Sequence, residues 1–480
     1  MRRASRCALI VILSLLSGSG SMARPPDDDL DLIPDQLLTQ PQTDSPSSAP
    51  GKIKFKAFLD EAITVSFRRH DRIAAIPHDE SSSWSNRISL DVRAEMRVLP
   101  HMSLIMADRL HHLTDQANGV SEADIQNDLK ECYLTADRDA TVFLDVGRIN
   151  LKNGVGIAFN PTDYFKKNAV SSRISEDPAV LRETRLGTLM IRGQGLWEKS
   201  ALTLALAPEI THAPDRWHTD RGSAGLALQR TNDRGGFLAK FSLNAFEDFN
   251  PEFLYFFDQE RSHWGTNVTL GMGDAVIFYG EWSGAKQADL ISQFISEAVD
   301  SGVIPLAVSP AFSNRNDDSF RNQLSIGLSY TEKTNRTTHI EYHFNESGMT
   351  RRDWQTWFDT GKTAARLLLQ PHTAATGNGI LGQLWSFRSW AQQAQQPLNR
   401  HSLFIRTHWQ DVMAPFLDLT AIALINLTDG SFFIQPMAEY HLRGNITLSL
   451  TVNLFIGVPE SEYGSLDPMG NVKAGITYYF

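Results

Sequence analysis

The chain is short of cysteine, of long apolar runs and of positive charge, and each shortage closes off a class of protein. Cys7 and Cys132 are the only cysteines in 480 residues, so a small secreted domain stapled by disulfides is excluded, as are zinc motifs built on cysteine pairs. The only long apolar stretch is Cys7 to Leu16, and nothing later reads as the roughly 20-residue apolar helix that crosses a bilayer. The formal net charge is −10. Nucleic-acid binding leans on a basic footprint, which is missing here. Neither a Gly-x-Ser-x-Gly elbow nor a His-Glu-x-x-His helix occurs, so the familiar hydrolase and metalloprotease signatures are absent.

What is present begins at the N-terminus. Arg2, Arg3 and Arg6 precede the apolar stretch, and small residues from Ser17 to Ala23 follow it. A basic segment, a short apolar core and a small-residue exit describe a secretory signal peptide, residues 1–23, cleaved near Ala23. Cys7 lies ahead of the apolar core, not at the cleavage point, which argues against a lipoprotein. Cleavage removes three of the 45 basic residues and none of the 55 acids, taking the charge from −10 to −13. Residues 24–52 carry Asp27, Asp28, Asp29, Asp31 and Asp35 among six prolines. Such a segment cannot bury enough apolar surface to order itself and reads as a disordered periplasmic lead-in.

From residue 53 onward the dominant signal is alternation with period two. Ile446, Leu448, Leu450, Val452, Leu454 and Ile456 share one face, and Asn445, Thr447, Ser449, Thr451 and Asn453 share the other, with Phe455 the exception. Ile88, Leu90, Val92, Ala94, Met96 and Val98 likewise oppose Arg87, Asp91, Arg93, Glu95 and Arg97. Strands place successive side chains on opposite faces, and in a membrane barrel those faces meet lipid and lumen. Eighteen candidate strands follow: 53–68, 85–98, 101–112, 127–136, 140–151, 186–197, 199–208, 223–231, 236–247, 262–271, 274–284, 320–331, 336–346, 401–411, 416–427, 431–441, 445–456 and 471–480. With Phe480 on the periplasmic side, the periplasmic turns are short, including Asn232–Gly235. The extracellular connections are long, above all 152–185, 285–319 and 347–400, apart from one tight turn at Thr428–Gly430. The expected fold is therefore all-β, a transmembrane antiparallel up-and-down barrel of about 18 strands over residues 53–480, with short helices in long extracellular loops.

The last strand ends Val472, Ala474, Ile476, Tyr478 and Phe480 on one face. A terminal phenylalanine after alternating apolar residues resembles the assembly signal of bacterial outer-membrane proteins, which implies recognition of Tyr478 and Phe480 by the barrel-assembly machinery. Residues 147–165, from Gly147-Arg148 through Gly154 and Gly156 to Asn160-Pro161-Thr162-Asp163, resemble a segment of porin-like and alginate-export-like outer-membrane channels. The tryptophan some of those families carry in the glycine stretch is replaced by Lys152 or Asn153. The resemblance implies a channel in the outer membrane, with outer-membrane lipid as its surroundings. It names no substrate.

Asn160, Pro161 and Asp163 make a turn, because proline fixes φ and Asn and Asp bond their own backbone. With Lys152, Lys166, Lys167 and Arg173 nearby, this loop is either an anion-favouring constriction in the lumen or a solvated surface loop. Alternation assigns Lys54, Lys56, Arg68, Arg87, Arg93, Arg97, Arg192, Lys240, Arg406 and Lys473 to the lumen. The acids Asp60, Asp91, Glu95, Asp145, Glu281, Glu341 and Glu439 fall there too, and rings of charge set selectivity in pores. Helical spacing occurs over Ala288–Val299, Arg351–Leu369 and Ile380–Ala394. The tryptophans there read as a local core ahead of a sugar-stacking surface. His339, Glu341 and His343 share a strand face, but one strand rarely supplies a whole metal or acid–base site. The expected function is passage of a small solute or polymer selected by charge and size, with no cofactor, no metal and no catalysis. A polysaccharide export channel, an outer-membrane enzyme and a plugged structural or adhesive barrel are the alternatives.

Overall fold

The computed structural model describes residues 53–69, 84–117, 120–171, 175–210, 226–300 apart from 245 and 247, and 318–480. The leader, the 24–52 segment and Arg173 lie outside the described residues. Eighteen strands form one antiparallel sheet: β1 Ile53–Phe67, β2 Trp84–Leu99, β3 Met102–Ala117, β4 Val120–Arg138, β5 Val142–Ile149, β6 Thr188–Trp197, β7 Ser200–Ala207, β8 Gly236–Leu243 and β9 Phe249–Phe257. The circuit continues with β10 Ser262–Met272, β11 Val276–Gln287, β12 Ser319–Thr331, β13 Arg336–Asn345, β14 His401–Trp409, β15 Leu417–Asn426, β16 Phe432–Arg443, β17 Ile446–Ile456 and β18 Gly470–Tyr479. Each strand pairs with its sequence neighbours, and β1 pairs with β18 from Phe58↔Tyr479 to Phe67↔Gly470, so the sheet closes. Closure leaves no unpaired edge, the condition for a sheet to sit in lipid.

The outer face is the apolar one. A single row of the ladder runs through Val146, Ile191, Leu206, Phe237 and Phe257 on five successive strands, and all five side chains are at least 36% exposed. Water would not tolerate such a belt around the whole molecule, and lipid requires it, so the barrel is of the membrane-spanning kind. Residues 53 and 480 lie on the same rim, here the terminal rim. Connections there are two to seven residues long, whereas the distal rim carries 150–187, 208–235, 288–318, 346–400 and 457–469.

Three differences from the sequence reading have physical reasons. The stretch 223–231 is not a strand: its described part contains a one-turn helix, Leu228–Thr231. The missing strand is β9, FNPEFLYFF. A proline stands at 251, and the apolar run Phe253–Phe257 does not alternate because Phe253 and Phe257 form part of the apolar outer face while Leu254 and Phe256 pack inward against the 150–187 segment. The exchange keeps the count at eighteen but moves Asn232–Gly235 from the terminal rim to the distal rim. Lastly, β3 and β4 pair from Met102↔Ala136 to Ala117↔Val120, so 113–126 is a projecting hairpin, and 258–261 is a second short distal turn the sequence did not reveal.

The described residues also contain five helices: α1 Pro178–Thr184, α2 Leu228–Thr231, α3 Leu290–Asp300, α4 Arg351–Leu368 and α5 Ala374–Gln393. Thr350 and Asp353 form a capping box that starts α4. Helices α3, α4 and α5 pack through Phe294, Trp354, Trp357, Phe358, Leu384, Phe387 and Trp390 on the distal rim. The tryptophans therefore build a core, and Trp357 is only 1% exposed. Arg388 lies 4.9 to 5.7 Å from the rings of Trp354, Trp357 and Trp385, and donates to the Glu462 carbonyl at 2.9 Å and to Ser465 Oγ at 2.8 Å. This ties the helical cap to the loop between β17 and β18.

Candidate functional site: a loop stapled across the lumen

The segment 150–187 leaves β5 and returns to β6 by way of the barrel interior. Two buried carboxylates on the wall hold it there. Glu281 on β11 accepts from the Gly156 amide, from Asn160 Nδ2 at 2.9 Å and from Thr162 Oγ1 at 3.0 Å. Glu341 on β13 accepts from the amides of Ile157 and, at 3.0 Å, Ala158, from Tyr279 Oη at 2.9 Å, and lies 2.9 Å from His343 Nε2. Both side chains are fully enclosed, and a buried carboxylate persists only where donors surround it. Gly154 has a φ of +93°, and a Cβ there would stand 2.6 Å from the Glu281 carboxylate. Glycine is therefore required for the loop to come this close.

Beyond the staples the loop is internally cross-linked. Asp163 takes two bonds from Arg185, at 2.7 and 3.1 Å, and Arg185 also reaches the Leu151 carbonyl. Burial pushes the Asp163 carboxyl up, but Arg185, Arg182 and the bonds from Arg185 outweigh it and hold it below its ordinary range. Lys166 donates to the Asn160 carbonyl at 2.6 Å and sits 4.6 Å over the Phe159 ring. Burial draws its ammonium down to about 8, against the opposing pull of Asp163 and Glu281. Lys167 pairs with Glu297 on α3, and Lys152 pairs with Glu183 at 2.6 Å. Pro161 lies in the same turn. Lys152, Lys166 and Lys167 thus each have a partner inside the loop or the cap.

Much of the wall under the loop is apolar. Tyr164 stacks on Phe256 at 4.7 Å, and Phe165 meets the same ring edge-on at 5.3 Å. Leu238, Leu254, Met190, Ala205 and Ala207 line the lumen face beneath them. Ile157 and Ala158 reach Phe404, Ile422 and Phe433 on β14–β16. Phe455, the exception to alternation in β17, faces inward and stacks on Phe433 at 5.2 Å. From the distal side, Gln395 Nε2 donates to the Lys166 carbonyl at 2.7 Å and the Asn168 amide to the Gln393 carbonyl at 2.9 Å, so the helical cap braces the loop.

The opposite arc, β17, β18, β1 and β2, has a polar, charged lumen face. Arg87 binds Asp60. Asp91 takes Arg109 on one side, at 2.6 Å, and Lys130 on the other, at 2.7 Å. Lys473 stands within electrostatic reach of Arg87, Asp60, Glu439 and the loop's Glu176. Arg406 on β14 reaches Asp177, the N-cap of α1, at 3.3 Å. Lower on the walls, Arg93 meets Glu131 at 2.8 Å, Arg192 meets Asp145 at 2.7 Å and Lys240 lies 3.4 Å from Glu252. Glu95 and Arg97 follow Arg93 on the same face towards the terminal rim. Arg109, Lys130 and Asp177 were not singled out from the sequence. A bulge between Ala107 and Asp108 shifts the β3–β4 register and hides Lys130 from simple alternation. His339 and His343 flank Glu341, which is occupied by loop amides. Among the described residues no three His, Cys, Asp or Glu side chains converge as a metal site.

No protein-family model matches the chain, and no curated protein sequence does. Among solved structures it is similar to OccAB4 of Acinetobacter baumannii, with 9% identity, 91% of this chain and 99% of that one covered and a TM-score of 0.48. OccK5 (OpdH) of Pseudomonas aeruginosa gives 8% identity, 89% and 98% coverage and a TM-score of 0.46. A mutant porin of Rhodopseudomonas blastica gives 8%, 89%, 100% and 0.38. The barrel assignment rests on the strand pairing itself.

Proposed function

We propose that the protein is a solute channel of the bacterial outer membrane, with the terminal rim periplasmic and the distal rim extracellular. The observation that carries this is the stapled loop. An 18-stranded barrel encloses more space than its own wall side chains fill, and the loop occupies one arc of it while the other arc keeps a wet, charged surface. Solutes pass between Glu176 on the loop and Arg87 and Lys473 on the wall, beside the Arg406–Asp177 pair that pins the loop there. Acids on one side and bases on the other orient a polar solute as it passes, so size and charge are selected together. No step needs a nucleophile or a cofactor.

Single-channel recording of the purified protein in planar bilayers tests this. Discrete conductance steps are expected, with a reversal potential in a salt gradient that shifts when Lys473 or Arg87 is changed to Gln. A folded, inserted barrel with no conductance would point to a plugged structural role, and hydrolysis of lipid or peptide lost on changing His343 would point to an enzyme.

A further inference from the structure

Near the distal rim the covered arc holds a cavity of about 170 Å³. Its walls come from the stapled loop at Tyr164–Lys167, the segment 231–236, the turn 258–261, the distal parts of β10–β12, and the cap at α3 and α5. No residue of β17, β18, β1 or β2 lines it, so it stands apart from the charged arc. Its charge is balanced: the cations Lys166, Lys167, Arg234 and Arg261 share the lining with the carboxylates Asp163, Asp233, Asp258 and Glu297. Several are already committed, Lys167 to Glu297, Arg234 to Glu260 at 2.7 Å, Asp163 to Arg185, and Asp258 to His263 at 3.4 Å. Arg261 differs. Its backbone amide donates to Asp258 at 2.7 Å, but its guanidinium has no partner among the described residues. Four glutamines line the same space. Gln287 Nε2 donates to Ser347 Oγ at 3.3 Å, Gln293 Nε2 to the Ala288 carbonyl at 2.8 Å, and Gln323 Nε2 to Gln396 Oε1 at 2.8 Å. Each carboxamide thus uses one end on the chain. Gln287 Oε1, Gln293 Oε1, Gln323 Oε1 and Gln396 Nε2 are left unbonded among the described residues, and none of these atoms is buried.

We propose that this cavity is a binding site for a neutral monosaccharide, held by Arg261 and the four carboxamides. The free groups choose the ligand by the sense of its hydrogen bonds. A carboxylate or phosphate only accepts, and three carboxamide oxygens oppose it. An ammonium only donates, and the Arg261 guanidinium opposes it. A hydroxyl does both, so a ring of hydroxyls meets the acceptors and the donors together. Tyr164 and Phe165, both partly buried, add an apolar flank for the C–H face of such a ring. The balanced lining gives a charged solute no net attraction. The inference rests on the reading of the barrel as a solute channel, and it names a solute class for the distal mouth.

Saturation-transfer difference NMR on the full chain in a sugar-free zwitterionic detergent tests this, with glucose, galactose and mannose as probes. At least one should give a saturable signal. Glucuronate and glucosamine, rings of similar size that carry a charge, should bind at least tenfold more weakly than the best neutral sugar. Arg261→Leu and Gln293→Leu, each verified as a folded, heat-modifiable barrel, should each weaken that binding at least fivefold. Lys54→Gln at the terminal rim should leave it unchanged. No saturable signal from any of the three hexoses, tighter binding of either charged sugar, or undiminished binding in both cavity variants would each overturn the proposal. Conductance in potassium chloride reports on the channel reading separately. A barrel that binds the hexose without conducting keeps the site and loses the channel, and one that conducts without binding any of the three does the reverse.

Discussion

The two arcs of the lumen wall are built from the same kind of strand and behave oppositely. Along β6–β10 the inward Met190, Leu238, Leu254 and Phe256 pack against Tyr164 and Phe165 of the 150–187 loop. Along β17, β18, β1 and β2 the inward side chains are Thr447, Thr451, Lys473, Asp60, Arg87 and Asp91, a polar and charged set in which Arg87 binds Asp60 and Lys130 binds Asp91. The difference shows that a barrel's inner face takes its chemistry from what covers it. Where a loop lies on the wall, the wall becomes a second core. The carboxylates there turn from solvated charges into anchors.

The largest expected effect comes from removing the anchors. Hydrogen bonds to a charged group are worth about 1.5–3 kcal/mol each, and Glu281 and Glu341 together hold five loop residues, Gly156, Ile157, Ala158, Asn160 and Thr162. Glu281→Gln combined with Glu341→Gln should free the loop, raise the single-channel conductance severalfold and add current noise, while the barrel stays heat-modifiable on gels. Unchanged conductance would remove the distinction between the arcs. A smaller effect is expected on the open arc. Lys473→Gln with Arg87→Gln should move the reversal potential towards cation preference with little change in conductance, whereas Lys166→Gln, inside the covered arc, should leave ion preference alone.

Next comes the cap. Trp357→Ala removes a fully buried ring, a change that costs about 3–5 kcal/mol in a core. Increased hydrogen exchange in 351–393, with the strands still protected, is the expected readout. The smallest effect concerns pH. Burial pushes the Glu462 carboxyl up to about 7 despite Arg388 and the bond from Asn399. The folded state therefore binds a proton that the open state releases between about 4.5 and about 7, so the junction of loop 457–469 with the cap is stabilised as pH falls through that window and weakened above it. Exchange in 457–469 corrected for intrinsic rate should be slower at pH 5 than at pH 8, and Glu462→Gln should remove the difference.

The same contrast explains what the sequence made legible. The cleanest alternation, 445–456 and 86–98, lies in β17 and β2 on the open arc, where inside means wet. The strand the sequence concealed, β9, lies on the covered arc, where Leu254 and Phe256 face inward against Tyr164 and Phe165 and no alternation survives. Glu281 and Glu341 were legible as lumen-facing acids but not as anchors, because their loop partners lie 119 to 184 positions away and four of those donors are backbone amides, which leave no mark in composition. The loop itself was legible through its glycines and its Asn-Pro-x-Asp turn. Its cations looked free because their partners, Glu297 on α3 and the Asn160 carbonyl, are set by tertiary folding.

The most direct test of the stapled loop as a border of the conducting path is a thiol placed on it. In a Cys132→Ser background, Glu176→Cys should lie opposite Lys473. Adding a bulky charged methanethiosulfonate to an open channel should cut the current in one irreversible step and shift ion preference with the sign of the attached charge. A current that is unaffected after complete labelling, verified by mass, would contradict a solute path running between the loop and the charged wall.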